Sequence, residues 1–233
     1  MARIRGLDMG RRLLVLLIVF TILLSGGPVR ADATLEQRLN SWPEWSLPAP
    51  LPRPSNRDDL VYPDWFAGLW QVESSDLDAT DDAPLRHQAR FQPDRRGRLV
   101  GDRRFNATAI GRALLGDQLL RVEADPDSAN RQIAWLKGDL HLETTVTGRR
   151  QETPDQETFL ADELVLQILH GPGPPRLSRI ETLSRYERCG DAICAEQWQG
   201  RYPSPGDSLR DQAVAHHHYQ LTLTPLQDPP RKG

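Results

Sequence analysis

The sequence predicts a mainly β fold, an antiparallel up-and-down barrel of about ten strands with one short helix. Two observations carry that prediction. Turn clusters recur at strand-length intervals: Gln92-Pro93-Asp94-Arg95-Arg96-Gly97, Asp125-Pro126-Asp127-Ser128, Lys137-Gly138-Asp139 and Gly171-Pro172-Gly173-Pro174-Pro175. Between them, alternation has a period of two: Leu85, His87, Ala89 and Phe91 share one face against Arg86, Gln88 and Arg90, and Leu140, Leu142, Thr144 and Val146 oppose His141, Glu143 and Thr145. At 233 residues, with an ordinary globular composition, one domain accounts for the chain.

The first element is an address. Arg3, Arg5, Arg11 and Arg12 precede the apolar run 13–24, which Ser25-Gly26-Gly27-Pro28 breaks before Ala31-Asp32-Ala33. A cationic stretch, a short apolar segment and small residues at the −3 and −1 positions make a cleavable secretory signal over residues 1–33, with cleavage after Ala31 or Ala33. The run falls short of the roughly 20 residues a spanning helix needs. Removing the leader takes away five arginines and two aspartates, so the net charge moves from −3 to −6, with 24 basic against 30 acidic side chains. Neither balance suggests a nucleic-acid partner or attraction to an anionic membrane.

Residues 34–61 read as an arm. Six prolines between positions 41 and 63 exclude a helix or an interior strand, and Trp42 and Trp45 suggest that part of the arm packs onto the domain. The barrel domain spans 62–226 and a tail 227–233. Its ten strands are expected near residues 69, 86, 99, 119, 131, 141, 159, 178, 195 and 214. Residues 105–115, rich in alanine and leucine, form the helix, ended by Gly116. The segment 159–169 fits either a strand or a helical stripe.

Cys189 and Cys194 bracket Gly190-Asp191-Ala192-Ile193, between two strand-like flanks. This reads as a β-hairpin with a four-residue loop and facing cysteines, which an oxidising compartment would join in a disulfide. In that register Arg185 faces Trp198, Leu183 faces Gly200 and Glu181 faces Tyr202. Two thiols are too few for a zinc site, and their spacing is not that of a C-x-x-C redox pair.

Phe66-Ala67-Gly68-Leu69-Trp70 resembles the opening F-x-G-x-W motif of the lipocalins and the wider calycin barrels. The resemblance implies a calycin-like barrel, with Trp70 plugging the closed end and Gly68 letting the chain turn into its floor. Lipocalins pair that tryptophan with a late arginine; strand 213–224 has none, which leaves Arg185 or Arg201. A longer resemblance runs through Tyr62-Pro63-Asp64-Trp65-Phe66-Ala67-Gly68-Leu69-Trp70-Gln71-Val72, Gly101-Asp102-Arg103-Arg104-Phe105-Asn106-Ala107 and Glu181-Thr182-Leu183. These segments are similar to an uncharacterised family of exported cyanobacterial and chloroplast proteins, which implies the thylakoid lumen or the periplasm.

In the last strand His217, Tyr219, Leu221 and Leu223 share the expected inward face, and His216 and His218 form a solvated pair on the other. Trp70, His87, His217 and Tyr219 are the candidate ligand-binding residues. His87 and His217 meeting in a cavity would suit a haem or a metal, a weaker reading than ordinary core or barrel-mouth histidines. No catalytic residue and no cofactor is expected: Gly-x-Ser-x-Gly is absent, and Glu152, Asp155, Glu157, Asp162 and Glu163 read as solvated or turn-capping carboxylates. The leading expectation is an exported, non-catalytic protein that binds a small apolar molecule, a lipid, pigment or isoprenoid, or supports photosynthetic membranes. The alternative is an assembly factor with a filled barrel whose partner is a membrane-complex subunit; a haem protein is the third.

Overall fold

The computed structural model describes residues 34–79, 82–205 and 211–226. The export leader, its cleavage sites and the tail 227–233 lie outside them. The described chain is mainly β, with a short helix α1 (Leu35–Asn40), a longer helix α2 (Arg103–Leu115) and ten strands. These are β1 (Gly68–Asp76), β2 (Leu85–Pro93), β3 (Leu99–Gly101), β4 (Leu119–Ala124), β5 (Arg131–Leu136), β6 (Leu140–Glu152), β7 (Thr158–His170), β8 (Arg176–Cys189), β9 (Ala192–Tyr202) and β10 (Ala215–Leu226). All expected strand positions fall in or directly beside one of them, and the ambiguous 159–169 segment is strand.

The sheet runs β3-β2-β1-β10-β9-β8-β7-β6-β5-β4, every neighbour antiparallel. It curls into a half-barrel whose edges, β3 and β4, do not pair. The closed barrel expected from the sequence is replaced by a sheet with a seam, and α2 connects the two edges, packing on β2 and β4. A helix offers no free backbone groups to a strand, so it covers an edge without extending the ladder. Asn106 does some of that covering: its amide accepts from Arg90 N at 2.7 Å and donates to Arg90 O at 3.1 Å. α2 starts where Asp102 accepts the Phe105 amide and stops at Gly116, whose φ is +55°.

Two hydrophobic cores lie on opposite faces of the sheet. On the concave face Phe66 and Tyr62 touch both Phe91 of β2 and Phe159 of β7, strands far apart in the sheet order, with ring centroids 4.6–5.8 Å apart. Trp70 is buried there, and its indole donates to Phe66 O at 2.7 Å. Gly68 sits at φ +116°, a conformation that favours glycine, which gives the F-x-G-x-W glycine its physical reason.

The convex face is covered by the arm. Thr34 and Gln37 form a capping box that starts α1; Leu35 and Trp45 bury fully against Leu160, Leu183 and Tyr202. The arm backbone then bonds to the sheet and its loops: Ala213 N donates to Trp45 O at 3.0 Å, Arg149 N to Pro52 O at 2.9 Å and Ala129 N to Asn56 O at 2.8 Å. A β-bulge between Val146 and Gly148 marks the passage, and a Cβ at Gly148 would lie 2.8 Å from the Leu51 Cβ. The arm, which opens with α1 and continues through its prolines without regular structure, is a second layer on the sheet.

The cysteine hairpin differs in register from the expectation. Cys189 pairs with Ala192 across a two-residue turn at Gly190 and Asp191, so Cys194 stands opposite Glu187. The sulfurs are nonetheless at bonding distance, 2.10 Å, joined diagonally. Arg185 consequently faces Glu196, Leu183 faces Trp198 and Glu181 faces Gly200. A two-residue turn suffices because Gly190 takes φ +65°.

Candidate functional site

The concave face changes character along its length. At the floor, Phe66, Trp70, Phe91, Phe159 and Ile193 are buried, with Tyr62 and Tyr186 packed against them. Further along, the register places Ser74, Asp76, Tyr219, His217, Gln197 and Gln199 on the same face. At the far end Leu142, Leu169, Gln167, Ser178, Arg176 and Arg201 share the face, and a groove of about 910 Å³ opens there, walled also by Leu177, Val214 and the 203–205 segment.

The rim of this groove is built. Arg179 donates to Pro203 O at 2.9 and 3.3 Å, and the Ser204 hydroxyl donates to Leu177 O at 2.6 Å, which ties 203–205 to β8. Arg176 and Arg201 are exposed and take part in no ion pair among the described residues. Walls of mixed aliphatic and polar side chains, with two guanidinium groups unpaired among the described residues, can hold an amphipathic anion, because guanidinium meets carboxylate or phosphate in a bidentate fork.

The candidate ligand-binding residues do not form one cluster. Trp70 is a floor residue inside the packed aromatic core. Neither Arg185 nor Arg201 serves it as the late arginine: Arg185 pairs with Glu36 and Glu187, and Arg201 stands at the groove. His87 lies opposite Val72, whereas His217 lies two residues beyond Tyr219, the partner of Asp76. That is about 20 Å along the strand direction, at roughly 3.3 Å per residue, too far for one metal or haem iron. Burial lowers the His87 pKa, the backbone carbonyl of Gln88 only partly offsetting it. His217 stacks on Tyr219 and approaches Asp76 Oδ2 at 3.4 Å; the Tyr219 hydroxyl is pushed up by burial, then by Asp76 and Asp78. Both continue the concave face from the groove toward the floor. Among the described residues no set of three or more His, Cys, Asp or Glu side chains is disposed to hold a metal ion.

Two expectations about polar residues change. His216 and His218 are not a solvated pair: Trp42 of the arm packs on both, and His218 stacks on Trp198 and bonds to Glu196 at 2.9 Å. Asp162 is fully buried instead of solvated. It lies beneath the arm with Glu181, also fully buried, whose carboxylate receives Arg38 Nε at 2.7 Å and Nη2 at 2.8 Å as well as the Tyr202 hydroxyl. Burial, then the Glu181 charge, holds the Asp162 carboxyl well above its ordinary range, and the same two causes raise the Tyr202 hydroxyl. Such a carboxyl pair has the electrostatics of acid/base machinery, but it is sealed between arm and sheet. Its chemistry is that of a lock: Glu181 takes the guanidinium of the arm and the Tyr202 hydroxyl, and the raised Asp162 carboxyl, whose oxygens have no hydrogen-bond partner, is buried with it. Asp155, by contrast, caps a turn as expected, accepting from the amides of Glu157 and Thr158.

Glu181 and Arg38 escape sequence reasoning because 143 positions separate them; the groove arginines escape it because nothing local distinguishes them from the other arginines. No curated protein and no solved structure matches the chain significantly. The family model described as Domain of unknown function (DUF6816) matches residues 75–227, from the last residues of β1 through β10. Since that match spans more than half of the sequence, the chain belongs to the DUF6816 family.

Proposed function

We propose that the chain is an exported, non-catalytic binding protein. It holds a small, largely apolar molecule with an acidic end, a lipid, pigment or other isoprenoid, in the groove at the mouth of its half-barrel. The observation that carries this reading is the pairing of Leu142, Leu169, Leu177 and Val214 with Arg176 and Arg201 around one open volume of about 910 Å³. A volume of this size accommodates a lipid-sized ligand. His217 and Tyr219 extend the polar bed beside it, while Trp70 serves the site indirectly by keeping the floor closed. Export, to a periplasm or a thylakoid lumen, rests on the leader sequence.

A second reading has its own support: the floor is filled by aromatic side chains, some of them from the segment that leads into β1, as in an assembly factor whose surface meets a membrane-complex subunit. Mass spectrometry of the organic extract of protein purified from its native host, with its absorption spectrum, separates the two. The binding reading expects an acidic lipid or pigment in the extract, lost in Arg176→Gln/Arg201→Gln. An extract free of such molecules, from protein that pulls down a stoichiometric membrane-complex subunit, contradicts it and supports the second.

A further inference from the structure

The arm closes over a carboxyl group that has no counterion of its own. Asp162 of β7 is fully buried on the convex face, and neither of its carboxyl oxygens has a hydrogen-bond partner. The cations that face it are committed elsewhere. Arg38 of α1 sends Nε and Nη2 to Glu181 of β8; Arg150 of β6, opposite Asp162 in the ladder, pairs with Glu152 at 2.9 Å; Arg185 of β8 pairs with Glu36 and Glu187. From β9, the Tyr202 hydroxyl donates to Glu181, and Glu163, the next residue of β7, pairs with Arg149 on the other face. An ionised Asp162 in this setting is a buried charge beside a like charge.

The cover over this carboxyl is the first part of the arm, residues 34–47. Leu35 and Trp45 pack on Leu160, Leu183 and Tyr202. Its main chain is tied down at its two ends: Leu35 N donates to the Glu152 carboxylate at 3.1 Å, Ala213 N to Trp45 O at 3.0 Å and Leu47 N to Asp211 O at 2.8 Å. The ladder beneath, β6-β7-β8-β9, is bonded strand to strand, so the cover can leave without breaking it.

We infer that residues 34–47 are a pH-operated strap, shut while Asp162 carries its proton and lifted when Asp162 ionises, so that Leu160, Leu164 and Leu183 are bared while the half-barrel stays folded. With Asp162 neutral, the Arg38 pair with Glu181 and the burial of Trp45 hold the strap down. Burial, then the Glu181 charge, raises the Asp162 pKa only while the strap covers it, so the shut state holds a proton that the open state releases. The closing equilibrium is level below the ordinary carboxylate range, falls about tenfold per pH unit from there to the raised value, and is level again above it. This device stands apart from the groove and its ligand.

Hydrogen exchange of the full chain, followed by NMR across a pH series and expressed as protection factors so that the pH dependence of chemical exchange cancels, tests this. The reporters are the Leu47 and Ala213 amides, which bond the strap to the 211–213 segment; amides of the β7–β8 ladder are the reference. Over the window above the ordinary carboxylate range the reporters should lose protection about tenfold per pH unit, and they should stay less protected than the ladder throughout. In Asp162→Asn, and in Asp162→Leu, which removes the polar group altogether, they should remain protected with a flat profile. Four results overturn the proposal: reporters that match the ladder and so open only with the whole fold; protection independent of pH in the native chain; a slope that survives in both variants, which would place the titration at His216 and His218, on which Trp42 of the strap packs; or reporters unprotected in both variants, which would mean that the carboxyl itself holds the strap down.

Discussion

Asp162 and Glu181 are two carboxyl groups buried beneath the arm, and Glu181 takes the Arg38 guanidinium. Because the folded state raises the Asp162 pKa, it holds a proton that the unfolded chain releases. Stability should therefore fall as pH rises from the ordinary carboxylate range through the raised value, and the penalty should vanish below that range. Asp162→Asn keeps the shape and removes the charge, so it should raise stability at neutral pH and flatten this pH dependence. Denaturant unfolding across the pH series checks both. Arg38→Met should do the opposite, costing about 3–5 kcal/mol, since it strands the Glu181 carboxylate. Limited proteolysis of that variant should cut within the arm first. The signs of burial at Asp162 were partly legible, as it sits between Leu160 and Leu164 on one strand face. The Arg38 to Glu181 pair was not, because Arg38 reaches Glu181 only once the arm has folded back.

The arm and the sheet are the elements whose relation governs stability. Trp70 seals the concave floor and Trp45 the convex layer, at 6 % and 0 % exposure. Alanine at either should cost about 3–5 kcal/mol, and Trp42→Ala, at a half-buried position, should be milder. Thermal melts of the three variants measured together check the ranking; a Trp45→Ala protein as stable as wild type would mean that the arm is undocked in solution. The hairpin adds a covalent check: mass spectrometry of the exported protein without reduction should find Cys189 and Cys194 oxidised, and two readily alkylated thiols would contradict the bond. Strand positions, the helix and its glycine stop were readable because period and turn chemistry are local. The two-residue turn at Gly190 and the open seam were not, since a register slip of two keeps every side chain on its face, and closure depends on which edges meet.

For the whole molecule, the half-barrel is closed by packing at one end and open at the other, and its charge is uneven. The net negative balance argues against an anionic partner only on average; it hides the arginines at the groove. N-terminal sequencing of native material should give Asp32 or Thr34, and a chain still carrying residues 13–24 would be membrane-anchored. The fold class could be read from the alternation of strands, whereas the groove could not, because it is assembled from β6, β7, β8, β9 and the approach to β10. The central claim is that the groove, rather than the aromatic floor, receives the ligand. Its most direct test is a chemical-shift titration of the isotopically labelled protein with a long-chain fatty acid. Saturable shifts should map to Leu142, Gln167, Leu169, Ser178 and Arg201 and disappear in Leu169→Glu. Shifts confined to Trp70, Phe91 and Phe159, or none at all, would contradict the account.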